Sequence, residues 1–257
     1  MARMEMNDGN LLPLFDSCTH AEPKKGEIWK LGEHRLMCGD SMSEEDVRAL
    51  MGGQKADRLF TDPPYGMSYQ SNYVNKNNQF HVIENDDKFL DFLPVAKKYI
   101  DGFVFVCTTW KVLDRWLPIF KNNYELTNLI VWNKCGTNGG LGDLKRTFRN
   151  TYELIMTSNC GHEIKGKRIE AVWDIYPDNP NDYMHPTQKP VKLSRAAIEE
   201  CTDRGATVLD LFGGSGSTLI ACEETGRKCM MMELREEYCK KIIWRWEEYT
   251  GGKAERI

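Results

Sequence analysis

Residues 206–234 read ATVLDLFGGSGSTLIACEETGRKCMMMEL, and this stretch decides the fold class. An apolar run ends at Asp210 and Leu211, a glycine-rich turn follows, and a helical pattern opens near Ser217. A second apolar run then ends in Glu233. Short apolar runs separated by helix-length segments are typical of parallel strands covered on both faces. The stretch therefore predicts a unit of strand, turn, helix and strand.

The same alternation continues through most of the 257-residue chain. Strand-like runs include GFVFVCTTW, which begins at residue 102, and LTNLIVWNK, which begins at residue 126. Helix-like segments include PVKLSRAAIEECT, from residue 190, and EEYCKKIIWRWEEY, from residue 236. With 41% hydrophobic residues, a chain of this length can bury one large core. We therefore predict an α/β fold of the doubly wound type, built on a mostly parallel sheet.

The last helix-like segment carries a stripe of large side chains at helical spacing. Such a stripe packs a helix onto a sheet more often than it binds a ligand. The residues predicted to be core contacts are Tyr238, Ile242, Trp246 and Tyr249.

Composition excludes several classes of protein. The formal net charge is −4 with 28% charged residues, so a nucleic-acid partner would have to meet a local basic surface. The sequence has no uninterrupted apolar run of the roughly 18 to 20 residues that a membrane span needs. Its start, MARMEMNDGN, also lacks the apolar core of a signal peptide. These features predict a cytoplasmic protein that contacts no membrane.

The nine cysteines give no sign of a metal site, because none of them forms a Cys-x-x-Cys pair. They are interpreted as reduced thiols, several of them in the core. Cys135, Cys160 and His162 form the one cluster worth weighing, but tetrahedral sites usually show tighter paired spacing. We predict no metal.

The glycine-rich turn predicts a cofactor loop. Gly213, Gly214 and Gly216 let the backbone turn sharply and approach a ligand closely. A dinucleotide site would have a third glycine where this chain has Leu219, and no P-loop lysine follows. Glu233, at the end of the next strand, can accept both hydroxyls of a ribose. The pattern favours a nucleoside without a pyrophosphate, S-adenosylmethionine above all, and leaves open a nucleotide cofactor or a structural turn.

A second motif, Asp62-Pro63-Pro64-Tyr65, ends another strand at the same predicted sheet edge. Each proline biases the residue before it toward extended geometry, so the Asp62 carboxylate and the Pro63 carbonyl form a stiff pair of acceptors for an amino group. Such a pair offsets the positive charge that develops when an exocyclic amine attacks a methyl group. Tyr65 offers a face for stacking a base that has left its helix. The alternative is a rigid strand exit with a capped loop.

In this order the motifs resemble those of amino-methylating DNA methyltransferases of the β group, in which DPPY precedes FxGxG. The resemblance covers the chain from about Gly26 to Gly251. Its motifs are DPPY at 62–65, FGGSG at 212–216, HPTQKP at 185–190 and GDS at 39–41. It implies a seven-stranded, Rossmann-like sheet, circularly permuted so that the catalytic half comes first.

The resemblance also implies a division of the chain. Residues 1–25 would form a loose N-terminal arm and residues 26–132 the catalytic half. Residues 133–182 would be a small target-recognition segment, and residues 183–257 the cofactor-binding half.

The motifs assign site residues by resemblance. The catalytic residues would be Asp62, Pro63, Pro64 and Tyr65. The cofactor-binding residues would be Asp40, Asp210, Phe212, Gly213, Gly214, Gly216, Ser217, Thr218, Glu233, His185, Thr187 and Lys189. Three of these have plainer alternatives: Asp40 as a loop cap, His185 as a turn residue packed on Pro186, and Lys189 as a solvated side chain.

Residues 133–168 hold the local basic surface that composition requires. Backbone charges supply most non-specific affinity for DNA, so phosphate contacts are predicted here, although a solvated loop is the plainer alternative. The residues predicted to contact DNA are Lys134, Lys145, Arg146, Arg149 and, from the loop after DPPY, Tyr69.

The implied activity is site-specific methylation of adenine N6 in double-stranded DNA, with S-adenosylmethionine as methyl donor and the base flipped out. Family members that methylate cytosine N4 tend to carry Ser at the position of Asp62, which favours adenine. Cytosine N4 methylation stays an alternative, as does a catalytically idle DNA-binding or regulatory protein. The resemblance leaves open a homodimer and a cognate restriction nuclease on a separate chain.

Overall fold

The computed structural model describes residues 20–67, 89–136, 146, 148–164, 170–179, 184–185 and 188–257. In this part of the chain the strands are β1 (Ile28–Leu31), β2 (His34–Cys38), β3 (Ala56–Thr61), β4 (Ile100–Thr108), β5 (Asn128–Asn133), β6 (Tyr152–Ser158), β7 (Val172–Asp174), β8 (Thr207–Asp210), β9 (Lys228–Glu233) and β10 (Glu255–Arg256). The helices are α1 (Glu44–Met51), α2 (Leu93–Lys97), α3 (Leu113–Asn123), α4 (Val191–Glu199), α5 (Ser217–Thr225) and α6 (Glu236–Thr250), with a 3₁₀ turn at Trp110–Val112. None of these helices is long and apolar enough to cross a membrane.

The strands form one sheet in the order β10-β1-β2-β9-β8-β3-β4-β6-β5-β7. Strands β2, β9, β8, β3 and β4 are parallel to one another, and β6 runs antiparallel between β4 and β5. The predicted mostly parallel α/β fold is confirmed. The described residues form ten strands where seven were expected, and β1, β7 and β10, with four, three and two residues, are among the shortest of them.

Helices cover both faces of the sheet, as the doubly wound prediction requires. Helices α1, α2 and α3 pack on one face, and α4, α5 and α6 on the other. Neighbouring strand residues alternate between the two cores: Leu59 faces the first and Phe60 the second. In α6, Tyr238, Ile242 and Trp246 are buried as predicted. The prediction is wrong for Tyr249, which is 53% exposed because it lies in the last turn of the helix.

The sheet order places several acidic side chains at one edge of the sheet. The carboxyl ends of β3, β8 and β9 are neighbours there, so Asp62, Asp210 and Glu233 meet at the same side of the sheet. Because β6 is antiparallel to β4, its beginning lies at this edge as well, with Leu154 opposite Thr108. The range predicted for target recognition, residues 133–182, includes β6 and β7 and therefore contributes strands to the sheet.

Candidate active site

The Asp62 carboxylate is the centre of a polar cluster at the carboxyl end of β3. Its Oδ2 accepts a hydrogen bond from Lys189 Nζ at 2.6 Å, and its Oδ1 accepts one from the Tyr65 hydroxyl at 2.8 Å. The Asp62 side chain is 21% exposed and the Lys189 side chain 10%. Both carboxylate oxygens are thus engaged by side chains, with one edge of the group open to solvent.

A second carboxylate, Glu153, faces the same partners from the start of β6. Glu153 Oε2 lies 3.1 Å from the Tyr65 hydroxyl oxygen and 3.1 Å from Lys189 Nζ. Its other oxygen, Oε1, accepts a hydrogen bond from Lys134 Nζ at 2.5 Å. We call Asp62, Tyr65, Lys134, Glu153 and Lys189 the carboxylate cluster. It contains two acids and two ammonium groups, so its formal charges balance.

Sequence reasoning missed Glu153. The only signal was an acid near the start of an otherwise apolar run, TYELIMTS, at a position where a half-buried strand tolerates a polar residue. Its importance follows from the antiparallel placement of β6 beside β4, which no local pattern reveals.

The two carboxylates of the cluster have different acidities. Burial raises the pKa of Asp62, and the nearby Lys189 opposes that rise only in part. Burial also acts on Glu153, but the ammonium groups of Lys189 and Lys134 outweigh it and bring the pKa of Glu153 down to about 2. Glu153 is therefore ionised at neutral pH, and Asp62 is the acid of the pair that protonates first as the pH falls.

The donors of the cluster keep their protons at neutral pH. Burial disfavours the charged form of Lys189, but Asp62 and Glu153 outweigh this effect and hold the pKa of Lys189 above its ordinary value. Burial and the same two carboxylates raise the pKa of Tyr65 well above its ordinary value. Lys189 thus stays a cation and Tyr65 a neutral hydroxyl, and neither acts as a base at neutral pH.

The cofactor loop predicted from the glycines turns as expected between β8 and α5. Gly214 and Gly216 have φ of 52° and 79°, in the left-handed region that glycine adopts without strain. A Cβ atom on Gly216 would lie 3.2 Å from Ile242, and one on Gly214 would lie 3.8 Å from the His185 ring. The N–H of Gly213 donates to the Met232 carbonyl oxygen at 2.8 Å, which ties the loop to β9.

Glu233 closes one side of the loop. Its Oε2 accepts a hydrogen bond from the Gly214 N–H at 2.8 Å, and its Oε1 accepts one from the Arg235 N–H at 3.0 Å. Burial raises the pKa of Glu233, and these backbone donors oppose the rise. Because a carboxylate oxygen can accept more than one hydrogen bond, both oxygens retain capacity for a ligand hydroxyl.

The two motifs are physically joined through Thr61, the last residue of β3. The Thr61 hydroxyl donates to Asp210 Oδ1 at 2.8 Å and accepts from the Leu211 N–H at 3.3 Å. Asp210 also accepts from the Phe212 N–H at 3.1 Å. Burial raises the pKa of Asp210 to about 7, against hydrogen bonds that include one from Thr218. This buried contact fixes the strand that carries Asp62 against the start of the cofactor loop.

Comparison with known proteins agrees with this arrangement. Residues 156–244 match the model of the N6/N4 family described as DNA methylase. The matched segment runs from β6 to α6. Among its relatives, the putative methylase YubD of Escherichia coli (strain K12) is 28% identical over 214 residues, which are 79% of this chain and 86% of YubD. Type II methyltransferase M.HinfI of Haemophilus influenzae is 24% identical over 221 residues, 72% of this chain and 61% of M.HinfI.

Solved structures show the same fold. The M1.HpyAVI–SAM complex is 21% identical to this chain and superimposes with a TM-score of 0.64, covering 82% of this chain and 98% of that one. The PvuII DNA methyltransferase, described as cytosine-N4-specific, is 18% identical with a TM-score of 0.65, and the match covers 86% of this chain and 90% of that one. At these identities the likeness establishes the fold alone.

Several of the predicted cofactor residues lie in the same region. The His185 ring is tilted against the Tyr238 ring, with centroids 4.6 Å apart, and burial beside Lys189 lowers the pKa of His185 to about 3, so the ring is neutral. Ser217 donates from its hydroxyl to the Lys189 carbonyl oxygen at 2.6 Å. The Phe212 ring packs edge-on against the Phe92 ring, with centroids 5.0 Å apart.

Two of the predicted cofactor residues bind other groups of the protein in the structure. Lys189 was predicted to bind the cofactor, with a solvated side chain as the alternative, but its ammonium binds Asp62 and Glu153 inside the carboxylate cluster. The Asp40 carboxylate accepts a hydrogen bond from the Met42 N–H at 2.9 Å, so it caps its own loop, as the plainer alternative proposed. The Gly39 N–H donates to the Glu233 carbonyl oxygen at 3.0 Å, which keeps Asp40 beside the cofactor loop.

The predicted DNA contacts fall into three groups. Arg146 and Arg149 are exposed. Lys134 is 14% exposed and its ammonium binds Glu153, so this position argues against a phosphate contact. Lys145 and Tyr69, together with the predicted cofactor residue Thr187, lie outside the described residues.

Proposed function

We propose that this methylase transfers a methyl group from S-adenosylmethionine to the exocyclic N6 amine of adenine in double-stranded DNA, with the base flipped out of the helix. The observation that carries the proposal is the buried Thr61–Asp210 contact, 2.8 Å long. It holds a carboxylate suited to an amino group beside a glycine loop suited to a nucleoside. A strand exit without chemical purpose would not require a second motif at the same sheet edge.

The glycine loop and its neighbours fit the nucleoside part of this cofactor. Glu233 has acceptor capacity for two ribose hydroxyls, and a Cβ atom at Gly214 would fill space in front of the His185 ring. Asp40, beside the loop, would approach the adenine edge. When bound, S-adenosylmethionine supplies an electrophilic sulfonium methyl group. The position of Lys189 leaves the methionine carboxylate to other groups.

Asp62 and Pro63 would grip the two hydrogens of the target amine. The amine lone pair is delocalised into the base, and two acceptors on its hydrogens favour the tetrahedral geometry that attack requires. The nitrogen gains a methyl group and loses one proton, and the proposal assigns that proton to the Asp62 carboxylate. The raised pKa of Asp62 supports this role, because Glu153, with a pKa of about 2, is a much weaker base.

Adenine is proposed as the base because this chain carries Asp62 where cytosine N4 enzymes of the family tend to carry Ser. The likeness in fold to a cytosine-N4-specific enzyme keeps the other base as the alternative. Arg146 and Arg149 are proposed to contact phosphates within the target-recognition segment, residues 133–182.

Mass spectrometry of nucleosides tests the proposal. The purified protein is incubated with S-adenosylmethionine and unmethylated DNA of mixed sequence, and the DNA is digested to nucleosides. N6-methyladenine is expected from the wild type and not from Asp62→Ala purified in parallel, which excludes methylation by a host enzyme. N4-methylcytosine as the product would agree with direct methyl transfer to an exocyclic amine and would overturn adenine as the target base. Absence of both products from a protein that binds the cofactor would overturn the proposed activity.

A further inference from the structure

The catalytic carboxylate of the proposed reaction is already occupied. Lys189 holds Asp62 Oδ2 at 2.6 Å and Tyr65 holds Oδ1 at 2.8 Å. Each of these oxygens can still accept one more hydrogen bond, but an incoming amine also needs the negative charge that Lys189 now neutralises. Release of Lys189 from Asp62 would make that charge available to the amine.

Both partners have the same alternative acceptor within reach. Glu153 Oε2 lies 3.1 Å from each of the two donor atoms, Lys189 Nζ and the Tyr65 hydroxyl oxygen. The Tyr65 hydroxyl has one hydrogen, so it donates to one carboxylate at a time, whereas a carboxylate oxygen accepts two hydrogen bonds. Both donors therefore already lie within hydrogen-bonding distance of Glu153, and a transfer to it requires only that they move away from Asp62.

The Glu153 side chain is held in place by a neighbouring ammonium group and is ionised. Its Oε1 is held by Lys134 at 2.5 Å, so Oε2 stays directed at Lys189 and Tyr65. Lys134 is itself only 14% exposed, and its ammonium lies 4.9 Å from the Trp132 ring centroid. With its low pKa, Glu153 remains an anion that can receive a cation from Asp62.

We propose that Glu153 is a positioning residue that takes over Lys189 and Tyr65 from Asp62 when the base amine arrives. The inference rests on the proposed function and adds a second carboxylate to it. In this hand-over Asp62 exchanges an ammonium partner for the amine, so its negative charge faces the nitrogen that becomes positive during attack. Before DNA binds, the same ion pair keeps the two carboxylates from repelling each other in a mostly buried site.

Three variants test the hand-over. Glu153→Gln keeps the size of the side chain and removes its charge, so Lys189 stays on Asp62. We expect the single-turnover rate constant to fall on the order of 10-fold to 100-fold, with the affinity for S-adenosylmethionine, measured by calorimetry, changed less than about twofold. Glu153→Asp restores the charge on a shorter stem and should recover part of the rate. Glu248→Gln, the same change at an exposed position, should match the wild type.

A structure of the complex with target DNA and S-adenosylhomocysteine gives the geometry directly. The hand-over requires Lys189 Nζ to lie within hydrogen-bonding distance of Glu153 and outside it from Asp62. Lys189 still bound to Asp62 in that complex would overturn it.

The kinetic outcomes separate the hand-over from the function on which it rests. An active wild type with an equally active Glu153→Gln overturns the hand-over alone. A slow Glu153→Gln that also loses cofactor affinity, or a Glu153→Asp that recovers nothing, assigns Glu153 a structural role and overturns the hand-over too. A wild type that transfers no methyl group to DNA overturns the proposed function and the hand-over together.

Discussion

The ammonium group of Lys189 lies 2.6 Å from the carboxylate of Asp62, although 127 positions separate the two residues in the sequence. Asp62 directly follows β3, and Lys189 precedes α4. The Ser217 hydroxyl, at the start of α5, fixes the Lys189 backbone at 2.6 Å. The residue that binds the Asp62 carboxylate is thus anchored to the helix that follows the glycine-rich loop.

Removing the Asp62 carboxylate should abolish most of the activity and spare cofactor binding. Asp62→Ala takes away one preorganised acceptor for the amine, a loss on the order of 100-fold or more in turnover. The cofactor loop is held by Glu233, Asp210 and Thr61, so affinity for S-adenosylmethionine should stay near the wild-type value. Turnover is measured with labelled cofactor and affinity by calorimetry. Near-wild-type turnover of Asp62→Ala would exclude Asp62 as the amine acceptor, and exposed Asp203→Ala serves as the matched control.

The rate of methyl transfer should fall as the pH falls through the pKa of Asp62. Only the carboxylate can grip the amine, and burial raises this pKa, so the acid limb should lie above the ordinary value of about 3.9 for aspartate. The groups facing Asp62 include Lys189, Tyr65 and Glu153. Glu153, with a pKa of about 2, stays ionised over the pH range in which Asp62 is protonated. The check is the pH dependence of the single-turnover rate constant. If its acid limb lies at or below the ordinary aspartate pKa, burial does not raise the pKa of Asp62.

Lys189→Met should move that acid limb to higher pH. The Lys189 ammonium favours the ionised form of Asp62, so its loss makes the carboxylate easier to protonate. The variant should also be less stable, by about 3 to 5 kcal/mol, because one partner of a mostly buried ion pair is left alone. The pH–rate profile and the free energy of unfolding check both effects, and Lys192→Met, at an exposed position of α4, is the control. A limb that stays in place would mean that Lys189 does not set the acidity of Asp62.

The sheet could be predicted from the sequence because its central strands are buried on both faces. The runs FVFVC in β4 and CMMM in β9 are apolar without interruption, which is typical of strands buried on both faces. The edge strands escaped notice because β7 and β10 have only three and two residues. Tyr249 was assigned to the core by its spacing, but spacing does not indicate where a helix leaves the sheet.

The candidate site was predictable where its chemistry is local and not where it depends on pairing. DPPY and FGGSG are contiguous, and each turn follows its own strand, so their meeting at one edge follows from parallel order alone. Glu153 reaches Asp62 only because β6 inserts antiparallel next to β4. Lys189 was predicted to bind the cofactor, because the sequence does not show that its ammonium lies within hydrogen-bonding distance of two carboxylates.

Gly216→Ala should weaken both the fold and cofactor binding. Gly216 has φ of 79°, where an alanine costs roughly 1 to 2 kcal/mol, and the new Cβ would lie 3.2 Å from Ile242. Gly251→Ala isolates the backbone part, because Gly251 has φ of 72° and nothing within 4 Å of its would-be Cβ. We expect a similar loss of stability from the backbone term in both variants and a loss of cofactor affinity in Gly216→Ala alone. Equal affinities in calorimetry would make the loop a structural turn.

Glu233→Gln should reduce affinity for S-adenosylmethionine and leave the protein folded. The amide keeps one oxygen for the Gly214 N–H but loses the charge and the second acceptor, so a ribose hydroxyl is left without its partner. A hydrogen bond to a charged group contributes about 1.5 to 3 kcal/mol, which corresponds to a loss of roughly 10-fold to 150-fold in affinity. The pH dependence adds a sign: burial raises the pKa of Glu233, so wild-type affinity should fall toward that of the variant as the pH falls through this pKa. Calorimetry at neutral and acidic pH checks both effects, with exposed Glu255→Gln as the control. Affinity that is unchanged by the substitution and by acid would remove Glu233 from the cofactor site and reopen the search for the group that binds the ribose.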